Sequence, residues 1–331
     1  MMRKHLLLVV LILTGATGCD NVAWGGIDVQ LQSPPSAEAA PEGGDEEVAE
    51  TADSVTKVSG PVLLAGERNG QRAEMVLVGE LLANGLSPFP DPRFPGDATR
   101  LAELTAPGAE WILFSEGVRV GRMIADASEP ADEYCGARIR ISGVVELVPP
   151  ASTATRLLAL PAQDADTVPY RPYTEHAHNY DQRVASLAIA GEAIPRNGAA
   201  WPAGGVLEIR EHIQAFRPEG ASTPWIAATF VNRDQLAIGS PGPSAYGLLV
   251  MGSPIGGDFV EAFSWFRSVE DEGKGVPRYH DHLDWDGDGG SEVLLDVFGA
   301  NRRWFAAVER QGQRWVRSYE DSCGSGARAT P

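Results

Sequence analysis

Apolar runs of strand length, interrupted by glycine and proline, constrain this chain more than any other feature. Gly and Pro make up 61 of its 331 residues, 37 and 24 respectively. Both residues break helices and favour turns, so such punctuation leaves room for short strands and little for long helices. Strand candidates fall at residues 75–82, 111–114, 118–123, 139–147, 157–160, 207–209, 226–230, 248–251 and 259–266. Residues 292–298, 303–309 and 314–319 follow, separated by two short polar turns, and read as a β-meander. The best helix signal is residues 97–104, which ends before Pro107. The expected fold is mainly β, with antiparallel sheets forming a sandwich, a barrel or a partial propeller-like meander. Prolines 149, 150, 161, 169 and 172 mark a break that would divide the body into β domains 59–165 and 166–331.

The first residues have the three parts of an export signal. Arg3 and Lys4 are basic, residues 6–13 are an unbroken apolar run, and Gly15, Ala16, Thr17 and Gly18 are small. The run is far shorter than the roughly 20 residues of a spanning helix, so it reads as a processed signal, residues 1–18. Ala16-Thr17-Gly18-Cys19 resembles the lipobox of bacterial lipoproteins, although Ala16 stands where Leu is commoner. The resemblance implies cleavage before Cys19, a diacylglycerol on its sulfur, and a lipid anchor on the periplasmic or extracellular face of a bacterial membrane. Several acyl chains anchor stably because each buried CH₂ contributes about 0.8 kcal/mol. Asp20 follows the lipobox cysteine, as in enterobacterial lipoproteins kept in the inner membrane. The alternative is a plain secretory signal with a cysteine near the cut.

Residues 20–58 hold nine Asp and Glu against one Lys, with Pro34-Pro35 and Gly43-Gly44 among them. Too little apolar surface is present to offset ordering entropy, so residues 19–58 read as a disordered acidic tether. The formal net charge of −18 disfavours nucleic acid as a partner, since phosphate binding needs clustered Lys and Arg. It also disfavours electrostatic adhesion to anionic lipid. With Cys19 lipidated, Cys135 and Cys323 remain as a pair, and outside the cytoplasm a disulfide is expected. Closing so long a loop contributes roughly 5 kcal/mol in the chain-entropy treatment.

The sharpest chemical signal is Asp284-Trp285-Asp286-Gly287-Asp288-Gly289-Gly290-Ser291-Glu292. Calcium takes six to eight hard oxygens, and carboxylates at alternate positions folded over glycine converge on one point. The expected ligands are Asp284, Asp286, Asp288, the Gly290 carbonyl and Glu292. Leu295 stands where an EF-hand places its Glu, and the flanks read as strands rather than helices. The pattern resembles the calcium loops of FG-GAP and VCBS-type repeats, over about residues 276–319. That resemblance implies a loop joining two β-strands and a structural Ca²⁺. The alternative is a solvated acidic turn.

Two histidine pairs, His176/His178 and His280/His282, have the i, i+2 spacing that puts both rings on one face of a strand. Neither has an evident third and fourth ligand in sequence, and the plainer reading is surface or loop histidines. Trp265, Phe266, Trp304, Phe305 and Trp315 read as core before they read as a groove lining. No H-E-x-x-H, G-x-S-x-G or G-x-G-x-x-G occurs, and the Gly273-Lys274 dipeptide lacks the first glycine of a P-loop. The leading expectation is a membrane-tethered, non-enzymatic envelope module that binds a protein or glycan, or is structural. A hydrolase without a linear motif is the alternative. A deep pocket with two carboxylates of shifted pKa would favour that alternative, and a shallow apolar patch would favour binding.

Overall fold

The computed structural model describes residues 59–167 and 171–324. The signal segment, Cys19 and the acidic tether lie outside the described residues. The fold is mainly β, as the punctuated strand pattern predicts, and every sheet is antiparallel.

The first sheet closes on itself. It comprises β1 (Val62–Asn69), β2 (Arg72–Leu82), β3 (Gly85–Ser87), β4 (Glu110–Ser115), β5 (Val118–Pro130), β6 (Ile139–Leu147) and β7 (Arg156–Pro161). Six strands run in the order β1-β7-β4-β5-β6-β2, and β2 pairs back to β1. Closure leaves no unpaired edge in the ring, and β3 extends it beyond β2. One parity of each strand fills the barrel: Leu64, Met75, Leu77, Trp111, Leu113 and Met123 are among its members. Helix α1 (Pro95–Leu104) starts with a proline in its first turn and packs Leu101 and Leu104 on that cluster.

Two four-stranded meanders follow. The first is β8 (Arg210–Phe216), β9 (Trp225–Asn232), β10 (Tyr246–Ile255) and β11 (Asp258–Ser268). The second is β12 (Val276–Leu283), β13 (Glu292–Phe298), β14 (Arg303–Gln311) and β15 (Arg314–Glu320), which realises the expected C-terminal meander. The second sheet lies between the other two, as alternation along β13 and β14 records. Val293, Leu295, Trp304 and Ala306 pack on Phe216, Leu249 and Met251 of the first meander. Leu294, Phe305 and Ala307 pack on Leu63, Val78, Phe114 and Leu158 of the barrel. All seven residues of β13 are buried. This explains why these strands read as continuous apolar runs with weak alternation.

Two sequence expectations fail locally. Residues 207–209, expected as a strand, form a 3₁₀ turn at Val206–Ile209. Val206 and Ile209 are buried while Leu207 is exposed, so the apolar residues share one face of a single turn rather than alternating on a strand. The helix α2 (Tyr180–Arg196) was not anticipated. Its buried stripe is short, with Ile189, Ala190, Ala193 and Ile194, and two of the four are alanines. Its start is fixed by a capping box: Asn179 and Gln182 exchange side-chain to backbone hydrogen bonds at 2.9 Å. The stripe covers the face of the first meander opposite the second, on Phe230, Leu248 and Val250. No helix among the described residues is long and apolar enough to cross a membrane.

Cys135 and Cys323 lie at disulfide distance, with sulfurs 1.99 Å and Cα atoms 6.0 Å apart. Their link ties the end of the second meander to the barrel's β5–β6 connection. The same connection docks by backbone: Arg303 N–H donates to Glu133 O (2.7 Å) and Cys135 N–H to Arg303 O (2.8 Å).

The doubly buried sheet carries one charge that must be matched. Asp296 is fully buried and pairs with Arg278 at 2.9 Å and with Arg303, whose guanidinium also lies 4.8 Å from the Tyr134 ring. Removing the carboxylate takes from two mostly buried guanidiniums their shared partner. Asp296→Ala is expected to cost about 3–5 kcal/mol in denaturant unfolding. A loss under about 1 kcal/mol would show that the network is not what joins barrel and sheet.

Candidate functional site

The 284–292 turn connects β12 to β13, so its flanks are strands as expected. Gly287 and Gly289 adopt positive φ (76° and 86°), which lets the chain fold tightly. Asp284 accepts N–H bonds from Gly287 (2.8 Å) and Gly289 (3.1 Å), and Glu292 accepts from Trp285 (3.0 Å). Asp284, Asp286 and Glu292 bring ligand oxygens within 4.8 Å of one another. Asp288 is outside that triad, and its carboxylate accepts from Gly290 N–H at 2.6 Å. Burial, together with the neighbouring Asp286, Asp284 and Asp288, pushes the Glu292 carboxyl up to about 8, against the opposing Trp285 N–H bond. The three hard carboxylate oxygens suit a calcium ion chemically.

His176 and His178 lie in the loop before α2, as the plainer reading has it, but His280 and His282 do not. His280 and His282 are buried in β12, and a bulge between Tyr279 and Asp281 sends them to different faces. His282 is paired opposite Val293 and packs against Phe216 (ring centroids 5.4 Å). Its Nε2 donates to Arg217 O (3.0 Å), so Nδ1 accepts from Tyr279 OH (2.7 Å) and the ring is neutral. His280 turns toward the barrel, where Nε2 donates to Leu157 O (3.2 Å) while Nδ1 is buried without a partner. Burial holds both rings down at about 4. Among the described residues, neither pair forms a triad of close metal ligands. The aromatics are core: Trp265, Trp304 and Phe305 are buried, Trp315 is partly buried against the first two, and Phe266 is partly buried on the cluster under α2.

The bulge also aims Asp281 at the barrel, and here the structure assembles a site with no linear motif. Glu116 and Gly117 form the two-residue connection between β4 and β5, with φ of 53° and 72°. Two positive φ angles describe the hairpin turn that Asn-Gly or Asp-Gly favours, so Glu is an unusual occupant. Asp281 holds the turn in place. Its carboxylate accepts from Glu116 N–H (3.1 and 3.3 Å) and His282 N–H (2.8 Å), and also from Ser115. Gly117 is required sterically, since a Cβ there would meet His282 Nε2 at 2.9 Å.

Thus fixed, Glu116 lies at the junction of two polar spaces. One is a cleft of about 430 Å³ lined by Glu116, His176, Arg217, Glu219, His282 and Ser291. The other is a cavity of about 70 Å³ lined by Glu116, Arg156, Tyr173, Glu175, His280 and Asp281. Arg156 spends its donors on Tyr279 O (2.9 Å), His212 Nε2 (3.1 Å) and Gln214 Oε1 (2.7 Å). Gln214 in turn donates to Glu116 Oε1 at 3.3 Å, and Glu116 Oε2 is buried without a partner. Burial first and the Asp281 carboxylate second raise the Glu116 carboxyl far above its ordinary range. Burial likewise raises Asp281, against the N–H bonds it accepts. The polar cleft shares a wall with the acidic turn, because Glu219 N–H donates to Ser291 Oγ at 2.7 Å.

Sequence reasoning did not single out Glu116. The signal available was a two-residue Glu-Gly connection between strand candidates at 111–114 and 118–123. No protein-family model, curated protein or solved structure matches the chain.

A proton bound to Glu116 in the fold, and lost from the unfolded chain near the ordinary carboxylate range, makes stability depend on pH. Its contribution is present below that range and disappears as pH rises toward the raised value. Glu116→Gln removes this dependence. Its melting temperature is expected to gain on the wild type progressively from about pH 5 to about pH 9. A difference that stays flat over that interval would mean the carboxyl is ionised in the fold.

Proposed function

We propose that the chain is a membrane-tethered envelope lipoprotein, anchored through Cys19, whose body is a non-enzymatic binding module. The Glu116 cleft receives a polar ligand, and calcium closes the turn at Asp284, Asp286 and Glu292. The observation that carries the binding reading is the state of the two buried carboxylates. Asp281 is consumed by the turn it holds, while Glu116 is delivered to the junction of two polar spaces with one oxygen unpartnered. A site that spends one carboxylate on presenting another suits recognition.

The hydrolase reading is favoured by one feature: both carboxyls lie on one cavity and both are raised. It stands second because Asp281 has its oxygens taken up by N–H and O–H donors, leaving it poorly placed as a base or nucleophile. The lipid anchor is supported by the lipobox-like residues, and the calcium by the oxygen set and the raised Glu292 carboxyl.

Two measurements on the full-length chain test this. Cys19→Ser is expected to move the protein from the membrane fraction to the soluble fraction and to abolish acylation; persistence of both would remove the anchor. Calcium at about 100 times its Kd is expected to add about 2.7 kcal/mol of stability, read as a rise of a few degrees in melting temperature. Asp286→Asn should lose that rise. No calcium-dependent shift in the wild type would reduce the turn to an ordinary acidic loop.

A further inference from the structure

Eight large apolar side chains of the described residues are exposed, and they are not scattered evenly. Four of the eight, Tyr180, Val184, Trp201 and Leu207, lie on α2 or on the segment that follows it. Tyr180, Val184, Leu187 and Gly191 succeed one another at steps of four, three and four residues, so they share one flank of the helix, beside its buried stripe. The Trp201 ring lies against that flank, since a Cβ on Gly191 would meet its tip at 3.7 Å. Nearer the start of the helix, Arg210 Nη1 donates to Arg183 O (3.1 Å) and Ser186 Oγ (3.3 Å). Residues 201–210 therefore run back along α2, with Leu207 between those two contacts. The four side chains form one apolar surface, on the order of 400 Å², a size that commonly marks an interaction or membrane site.

The same flank is basic, in a chain whose formal net charge is −18. Arg183 stacks over the Tyr180 ring at 5.9 Å, and among the described residues neither Arg183 nor Arg210 has a carboxylate within 4.0 Å. Burial first and the Arg183 charge second lower the Arg210 guanidinium, so two cations sit together with no acid between them. Asp181 and Glu192 fall, by the helical period, on the far side of the exposed arc, and Glu208 is turned back onto Gly204.

An apolar flank edged by unpaired guanidiniums matches the boundary of a bilayer, where acyl chains lie beneath phosphates and where Trp and Tyr concentrate. A bilayer is also within reach of the chain. Cys19 stands 40 positions before Ser59, a contour of at most about 140 Å. The net charge opposes adhesion by charge alone, so insertion of apolar side chains has to carry the contact.

Resting on the lipid-anchor reading above, we infer that the α2 flank of Tyr180, Val184, Trp201 and Leu207 sits in the headgroup boundary of the membrane that holds the anchor, with Arg183 and Arg210 against lipid phosphates. Contact of this kind orients the whole body on the membrane, and with it the direction in which the Glu116 cleft opens.

The experiment is a depth measurement on the full-length acylated chain in vesicles of phosphatidylethanolamine and phosphatidylglycerol. Nitroxide labels are introduced singly through Val184→Cys and Leu207→Cys and, as a control on an exposed hairpin, through Ile255→Cys. Each variant is checked for the wild-type unfolding transition. Collision with a water-soluble relaxation agent is expected to be at least about 5-fold slower at 184 and 207 than at 255, because an interfacial helix buries its apolar face about 5–10 Å into the boundary. Adding Trp201→Glu should bring the rate at 184 up toward that at 255. Equal rates at all three sites on vesicle-bound chain would overturn the inference and leave the anchor standing. Protection at 184 and 207 in a Cys19→Ser chain that stays on the vesicles would uphold the contact while sinking the anchor. A chain that associates with vesicles in neither form would overturn both. Protection accompanied by spin–spin broadening, relieved by mixing in unlabelled chain, would assign the flank to a second copy and overturn the lipid contact.

Discussion

The body is organised around a sheet whose central strands are covered on both faces. The β12–β15 meander has the barrel on one side and the other meander on the other, so successive residues of β13 and β14 serve two different cores. Burial at this scale is the main driving force for joining the three sheets, since apolar area removed from water contributes about 25 cal/mol per Å². It also sets a rule for polar residues: none on β13 can rely on water. Asp296 meets the rule through Arg278 and Arg303, and Arg303 is itself held by the backbone of the barrel's β5–β6 connection. Charge pairing, backbone docking and the Cys135–Cys323 link therefore converge on one seam.

The candidate site follows from a departure from that regular sheet. An unbroken β12 would put His280 and His282 on one face and Tyr279 and Asp281 on the other. The bulge breaks the parity. His282 joins Tyr279 in the core shared with Phe216, while Asp281 reaches the β4–β5 turn of the barrel. One inserted residue thus lets a structural strand support the Glu116 turn, and the inserted residue, His280, keeps an unpaired nitrogen. Bulges commonly redirect side chains beside binding sites in this way.

What was legible in the sequence was local. The C-terminal meander, most strands and the Cys135–Cys323 pairing needed only alternation, turn residues and cysteine arithmetic. The acidic turn needed only spacing. Helix α2 was hidden because its buried stripe is half alanine, and residues 207–209 misread because three apolar-rich positions cannot tell one turn of helix from a strand. The Glu116 site was illegible for a different reason. Its members come from β4–β5, the loop before α2, β8 and β12, and Glu116 and Asp281 are separated by 165 positions. Only the closed barrel and the bulge bring them together. For His280 and His282 the spacing implied a shared strand face that the bulge abolishes, while His176 and His178 lie on a loop.

The strongest reason to regard Glu116 as functional is that the fold gains little from it beyond one long hydrogen bond from Gln214. A turn with two positive φ angles is served best by Gly, Asn or Asp, and a longer side chain in the left-handed region costs on the order of 1 kcal/mol. The long side chain then places a carboxyl where burial and Asp281 both oppose its charge, and where one oxygen has no partner. Gln214 could hydrogen-bond a neutral residue equally well. Asp281 supports the turn through backbone N–H groups, which any residue at position 116 would supply. Turn geometry and burial therefore both argue against glutamate, and a position at which such preferences are overridden is where recognition chemistry is to be sought.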